Sequence, residues 1–354
     1  METPGGHEAI GSGPARQRRS PSRGAGSITL ADVAKLAGVS MVTVSRAIRR
    51  PELVSAGTLA RVRDAVERTG YVPNLVASGL ASRQTRLVAA IVPSVTNSVF
   101  ADTVQAFTDR LWSAGYQVLL GLSGYPATRE DALLTSVLGR RPDAVCLTGI
   151  AHSPDVRRRL LSAKIPVVEM WDMTPTPIDM LVGFSHERIG EIVAAHLLAK
   201  GYRKFGLVWA DDSRALDRQR GFLAEIARQG CTQAEVITVA APSTLPLGRH
   251  GLAQLLARAQ SKPTAVFCSS DLLAHGVLEE ARARGMPVPR DLALMGFGDL
   301  EFAACTYPAL STVRIDRAAI GFVAAELILA RLDGQGVAQS IVDVGFEIVD
   351  RGTT

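Results

Sequence analysis

Cysteine is scarce in this chain. Four occur in 354 residues, Cys146, Cys231, Cys268 and Cys305, and the nearest pairs stand 37 positions apart. That spacing excludes a Cys-x-x-Cys metal clip and a dense disulfide framework, and it fits a reducing compartment. Long apolar runs are missing too: nothing approaches the ~18 uninterrupted apolar residues of a membrane span. The first 27 residues, METPGGHEAIGSGPARQRRSPSRGAGS, hold no apolar core that could act in a signal peptide, so a cytoplasmic protein without a membrane partner is expected. No phosphate-cradling Gly-rich loop ending in Lys-Ser/Thr is present, no Gly-x-Gly-x-x-Gly follows a strand, and no His-Glu-x-x-His occurs. The six histidines, His7, His152, His186, His196, His250 and His275, lie ten or more positions apart, which excludes local metal-ligand pairs though not assembled ones. Asp211-Asp212 and Glu279-Glu280 imitate acid/base pairs, but adjacent acids more often form a solvated face. An enzyme is therefore not expected, and no cofactor or metal is implied.

What is present is an ordinary globular mixture, 47% hydrophobic and 21% charged, long enough for two or three domains. Its charge is unevenly spread. Residues 1–86 hold 13 Lys/Arg against 6 Asp/Glu, and the remaining residues hold 26 against 28. A basic head on a near-neutral body suits a small domain that meets a polyanion and a larger one that does something else. The Gly/Pro/Ser-rich stretch 1–27 reads as a disordered basic tail, whose Arg16–Arg23 cluster also fits a merely solvated terminus.

From Thr29 the pattern becomes helical. Thr29 caps a short helix with Leu30, Val33, Ala34 and Ala37 on one face; Gly38-Val39 breaks it, and Ser40 caps a second helix from Met41 to about Arg49. A third runs from about Ala56 to Thr69 with Leu59, Val62 and Val66 inward. Residues 28–73 thus read as a helix-turn-helix domain and 74–86 as a hinge helix and linker. On the second helix Val44, Ala47 and Ile48 face the core, leaving Met41, Val42, Ser45, Arg46 and Arg49 outward as a candidate reader of a DNA major groove. Met41 and Val42 offer apolar contact to thymine methyls, Ser45 and Arg46 hydrogen bonds to bases or phosphates. An ordinary solvated three-helix bundle gives the same pattern.

From residue 87 to 354, short apolar runs at 87–92, 116–120, 144–147, 166–169, 205–209, 265–268 and 292–295 alternate with eight stretches of helical pattern. The rhythm predicts a doubly wound parallel α/β fold, and the length predicts two lobes facing a cleft. The fold class is then a small all-α helix-turn-helix head on a two-lobed, periplasmic-binding-protein-like α/β body, with ligands at the carboxyl ends of the strands.

The run TLADVAKLAGVSMVTVSRAIRRPELVSAGTLARVRDAVERTGYVPNLVASGLAS resembles the DNA-binding head and hinge of the lac and galactose repressor family of bacterial regulators. Thr43-Val44-Ser45-Arg46, Tyr71-Val72-Pro73-Asn74, Ala77 and Leu80 are its most specific pieces. The likeness continues through Val92–Phe100, Pro166–Glu169, Val182–His186, Arg218 three before Gly221-Phe222, Cys268–Asp271 and Gly296-Phe297, and so covers 28 to about 350. VPSVTNSVFAD, AHSPDVRRRLLSAKIPVVEMWD and DMLVGFSHERIG carry a narrower similarity to the gluconate-utilisation branch.

This resemblance implies a homodimeric repressor of transcription whose partners are double-stranded palindromic operator DNA, a second copy of itself and a small sugar-acid effector such as gluconate. It places Thr29, Leu30, Met41, Val42, Thr43, Ser45, Arg46, Arg49, Asn74, Ala77 and Leu80 on the DNA, with Leu80 as a wedge in the minor groove. It places Ser94, Asn97, Val99, Phe100, Glu169, Trp171, Asp172, Arg218, Phe267, Ser270, Asp271 and Asp299 around the effector, with Arg218 gripping the carboxylate bidentately. One departure weakens Asp299: the family's acid directly after Gly-Phe/Tyr is here Gly298. The chain also stops at Thr354 without a leucine-heptad tail, which points to a dimer rather than a tetramer. Effector release, co-repressor-dependent binding and activation of transcription all fit the resemblance. A sugar-binding protein without DNA function is the more remote reading, since it has no use for a basic head.

Overall fold

The computed structural model describes residues 28–72, 84–95, 98–125, 127–231, 234–259 and 262–354. The chain divides into two compact units between residues 78 and 79, inside the segment expected to be the hinge.

The first unit is built by local signals. Helix α1 (Leu30–Ala37) starts at a capping box: Thr29 Oγ1 accepts from the Asp32 amide at 3.4 Å while Asp32 Oδ2 accepts from the Thr29 amide at 2.8 Å. Gly38 ends it at φ +64°, a left-handed cap that glycine adopts without a Cβ penalty. Ser40 Oγ accepts from the Thr43 amide to open α2 (Met41–Arg49), and α3 (Ala56–Thr69) closes the bundle. Val33, Ala34, Ala37, Val44, Ala47, Val62 and Ala65 form the core, with Leu30, Ile48, Leu59 and Val66 packed at its edge. The helix bounds match the expected ones; Ala65 joins the core unannounced because its small side chain gives little hydrophobic signal.

The second unit holds two parallel sheets. The strands of the first are β1 (Leu87–Val92), β2 (Gln117–Leu122), β3 (Ala144–Thr148), β4 (Val167–Met170), β5 (Met180–Gly183) and β11 (Ile341–Asp343), in the order β11-β5-β4-β3-β1-β2. Those of the second are β6 (Phe205–Ala210), β7 (Ala234–Val239), β8 (Ala265–Cys268) and β9 (Ala293–Met295), in the order β7-β6-β8-β9. Both place a reversal of strand order beside their first strand, where the crossing helices part and leave a crevice. Helices α4 (Ala101–Ser113), α5 (Ala127–Leu138), α6 (Pro154–Ala163) and α11 (Arg317–Leu332) cover the first sheet. Helices α7 (His186–Ala199), α8 (Ser213–Arg228), α9 (Leu245–Arg258) and α10 (Asp271–Ala283) belong to the second. The chain crosses between lobes after β5, between β9 and α11, and after β11; β10 (Thr312–Arg314) and β12 (Glu347–Val349) form an antiparallel pair on the returning strands.

Two close contacts fix the surroundings of the crevice. Helices α7 and α8 meet backbone to backbone: a methyl on Gly190 would fall 2.0 Å from the Arg218 carbonyl oxygen, and one on Gly221 2.0 Å from that of Glu187. Only glycine permits this approach, which sets the first turn of α7 against the middle of α8. In the first lobe the His152 side chain, 3% exposed, lies 2.6 Å from Glu130 Oε1 and 3.5 Å from Glu169 Oε1. Burial works against the imidazolium, but hydrogen bonds to Glu130 and Glu169 outweigh it and lift the group to about 9.

Gly221→Ala should cost ~1–3 kcal/mol in urea unfolding, because the helices must part to admit one methyl, while Gln219→Ala on the same helix should stay within ~0.5 kcal/mol. The His152 pairing makes a second prediction. Its folded pKa of about 9 lies above the ordinary 6.5, so its stabilisation is complete below 6.5 and is lost as pH rises through about 9. Unfolding free energy should fall over that window, and His152→Gln should flatten the fall.

Candidate functional site

On the first unit, the face of α2 turned away from the core carries Met41 and Val42, 54% and 66% exposed, followed by exposed Arg46 and Arg49 and half-buried Thr43 and Ser45. Neither arginine forms an ion pair among the described residues. Their place in the last turn suits the negative end of the helix. Two of the residues expected on the DNA are engaged within the bundle. The Thr29 hydroxyl donates to Asp32 Oδ2 at 2.7 Å, and Leu30 packs against the core. Asn74, Ala77 and Leu80 lie outside the described residues.

In the second unit a small cavity opens between the lobes. Val99 and Phe100 reach it from the turn before α4, and Trp171 from just beyond β4. Asp212, Ser269, Ser270 and Phe297 come from the ends of β6, β8 and β9, and Arg214 and Arg218 from α8. A second, roomier chamber adjoins it and shares Tyr125, Asp212 and Arg214.

A one-way chain of hydrogen bonds runs behind this wall. Arg218 Nη2 donates to the Ser269 carbonyl at 2.9 Å and Nη1 to His186 Nδ1 at 2.7 Å. His186 Nε2 donates to the Trp171 carbonyl at 2.9 Å, the Trp171 indole to Thr103 Oγ1 at 3.1 Å, and that hydroxyl to the Arg317 carbonyl at 2.8 Å. An acceptor at Nδ1 and a donor at Nε2 define neutral imidazole. Burial and then the nearby Arg218 and Arg214 hold His186 well below its usual range, in agreement. Arg218 is 4% exposed and lowered to about 10 by burial, with its guanidinium 3.9 Å from the centroid of the Phe297 ring.

Of the residues expected around the effector, Val99, Phe100, Trp171, Arg218 and Ser270 line the cavity. The others are placed differently. Asn97 lies outside the described residues, and half-buried Ser94 follows β1 without reaching the lining. Glu169 sits inside β4 on the face opposite Val168 and Met170, accepting from the Ile178 amide at 2.6 Å beside His152. Phe267, inside β8, packs at 5.0 Å on Trp209 and 5.5 Å on Phe222, in the core. Asp271 accepts from the Leu300 amide at 2.8 Å and Thr312 Oγ1 at 2.6 Å, so it holds the loop that carries Phe297 instead of facing a ligand. Burial raises it to about 6 against those two bonds. Asp299 is taken by Arg314 at 2.7 Å and Arg351 at 2.8 Å. Asp172 is buried behind the lining with its Oδ1 on the Met173 amide, and burial lifts it to about 6. Each Nη of Arg218 spends one of its two N–H groups within the protein, which fixes the guanidinium and leaves Nε–H and one N–H on each Nη uncommitted.

Sequence reasoning missed Tyr125, His186, Asp212, Arg214, Ser243, Ser269, Phe297 and Leu300. A signal for several was available: Asp212, Ser269 and Phe297 are among the first residues beyond apolar strands, where open α/β sheets present their ligands. Among the described residues no three His, Cys, Asp or Glu side chains gather as metal ligands, and no helix is long and apolar enough to cross a membrane.

Comparison with known proteins finds matches in both units. Residues 29–74 match the model of bacterial regulatory proteins of the lacI family, and 194–354 that of a periplasmic binding protein-like domain. The HTH-type transcriptional regulator GntR of Pseudomonas aeruginosa is 40% identical over 94% of this chain and 97% of its own length. A LacI-family transcriptional regulator from Silicibacter pomeroyi superposes with a TM-score of 0.87 at 34% identity, over 92% of this chain and 99% of that one. The lac repressor dimer bound to operator and the anti-inducer ONPF gives 0.80 at 25% identity, over 93% and 99%. The chain belongs to the lacI family of bacterial regulatory proteins, which are DNA-binding regulators of transcription and not enzymes.

Proposed function

We propose that this regulator is a cytoplasmic homodimeric repressor that holds a palindromic operator until a small sugar acid, gluconate or a relative, enters the cleft between its lobes. The observation that carries the reading is the coexistence of an exposed reading face, Met41 to Arg49, with a cavity walled by aromatic rings and two arginines. The similarity to GntR regulators over nearly the whole chain supports the effector class, and the likeness to an operator-bound lac repressor dimer supports the mode of DNA binding. Two heads read half-sites through consecutive major grooves. Phosphate contacts give affinity that falls with salt, and base contacts give selectivity. The effector acts by binding the DNA-incompetent form more tightly, which is the only free energy it brings.

The test is fluorescence anisotropy on DNA upstream of neighbouring genes, with and without a panel of sugar acids. Tight binding released by gluconate is expected. Binding that needs the acid would reverse the switch, and no sequence-selective, salt-sensitive binding under any condition would sink the repressor reading. Arg46→Ala should weaken operator binding by ~1–3 kcal/mol and relax selectivity. Arg218→Ala removes one cavity wall and leaves His186 without its donor, so gluconate should no longer dissociate the operator complex; release equal to wild type would place the effector elsewhere.

A further inference from the structure

We infer that Arg214 is the residue that binds the effector's carboxylate and so makes charge the basis of selection in this cleft. The inference rests on the sugar-acid reading and assigns its anion contact. Arg218, the more buried arginine, is already fixed: one N–H of each Nη is spent on His186 and Ser269, and one face of its plane lies on Phe297. The donors left to it, Nε–H and one N–H on each Nη, belong to a group held in place by the protein, whereas a carboxylate prefers a fork that can align on it.

Arg214 is in the opposite condition. It lines both the main cavity and the adjoining chamber, is half-buried, and makes no hydrogen bond or ion pair among the described residues. Its guanidinium carbon stands 5.2 Å from the centroid of the Phe100 ring, so an arginine from the second lobe lies against the first lobe's wall with its donor edges uncommitted. The position does not stabilise the helix. Arg214 belongs to the first turn of α8, where the helix end carries partial positive charge and a cation is unfavourable, and that turn holds no acidic residue. Asp212 is the one carboxylate in the cavity lining, and its Oδ1 is spent on the Ala215 amide at 3.0 Å, while Asp299 is held by Arg314 and Arg351. Asp172 interacts electrostatically with both arginines and Asp217 with Arg218, yet neither forms an ion pair with Arg214 among the described residues. An uncommitted guanidinium on the lining is a site for a small monoanion. The Ser243 hydroxyl remains in the lining for a polyol chain, while those of Ser269 and Ser270 accept from the Ala210 and Leu273 amides and keep only their own protons to donate.

Calorimetry on the full chain with D-gluconate and its uncharged counterpart D-gluconamide tests this. Wild type should favour gluconate by roughly 10- to 150-fold, the range of a charge-assisted hydrogen bond. In Arg214→Gln the two ligands should bind about equally, and Arg214→Lys should restore part of the preference, a pattern that a packing role for Arg214 would not give. A preference that persists undiminished in Arg214→Gln would overturn the assignment and leave the sugar-acid reading standing. A wild type that binds gluconamide as well as gluconate, or binds no acid of the panel, would overturn both.

Discussion

The cleft depends on one buried pairing, the Arg218 guanidinium against neutral His186. Taking a cation out of water is costly, and here an imidazole, a carbonyl and an aromatic face are in direct contact with it while Asp212, Asp172 and Asp217 act on it only electrostatically. The arrangement works because each group has one direction left to it. Arg218 can only donate, so His186 must accept at Nδ1 and donate at Nε2, and the Trp171 carbonyl receives that proton. Trp171 adopts φ +68°, a left-handed conformation that costs ~1–3 kcal/mol for a residue of its bulk. The bonds at both its carbonyl and its indole hold it there, with the ring 5.0 Å from Phe100 and 5.7 Å from Phe184. The backbone contact of Gly190 and Gly221 is the precondition, since it fixes His186 and Arg218 on adjacent helices at hydrogen-bonding range.

The architecture was legible because it is written in repeated local signals. Capping residues Thr29, Ser40, Ser153, Ser185, Asp212 and Ser270 announce helices within a residue or two of where they begin. The strands that escaped notice are short or half-exposed: Met180–Gly183, Thr312–Arg314, Ile341–Asp343 and Glu347–Val349 span three or four residues, too few to show a period, and Ala234–Val239 is an edge. The site was less legible for a reason of parity. Parallel strands are covered by helices on both faces, so β8 reads as a continuous apolar run and β4 as one broken only by Glu169, and neither says which way each residue points. Glu169 and Phe267 lie inside those strands and are consumed by packing, while Trp171, Ser269 and Ser270 lie just past the ends and face the ligand space. Asp271 and Asp299 failed differently, because their partners Thr312, Arg314 and Arg351 are remote in sequence and nothing local indicates that the carboxylates are already engaged.

The head follows another logic. A surface helix gains by turning apolar side chains inward, yet α2 leaves Met41 and Val42 in water at its first turn while Val44 and Ala47 fill the core. Scattered apolar residues on a surface are common, but two adjacent ones at a helix start, followed on the same face by two arginines that form no ion pair among the described residues, form a surface poorly matched to water alone. It suits a major groove, where thymine methyls and phosphates lie side by side.

Regulation must then be carried by differences between cleft states. Moving a two-state equilibrium from one extreme to the other takes ~5.5 kcal/mol of differential affinity, more than exposed hydroxyl contacts supply, since each nets ~0.5–1.5 kcal/mol. Charge supplies more per contact and falls off with separation and hydration. A guanidinium that stands in one lobe and rests on the other, as Arg214 does on Phe100, is strongest against an anion when the lobes exclude water and weakest when they part. Hydroxyl contacts confined to one lobe change little between those states. A cleft that selects an acid by an arginine spanning its two walls therefore concentrates the ligand's binding energy in the step that distinguishes one conformation from the other.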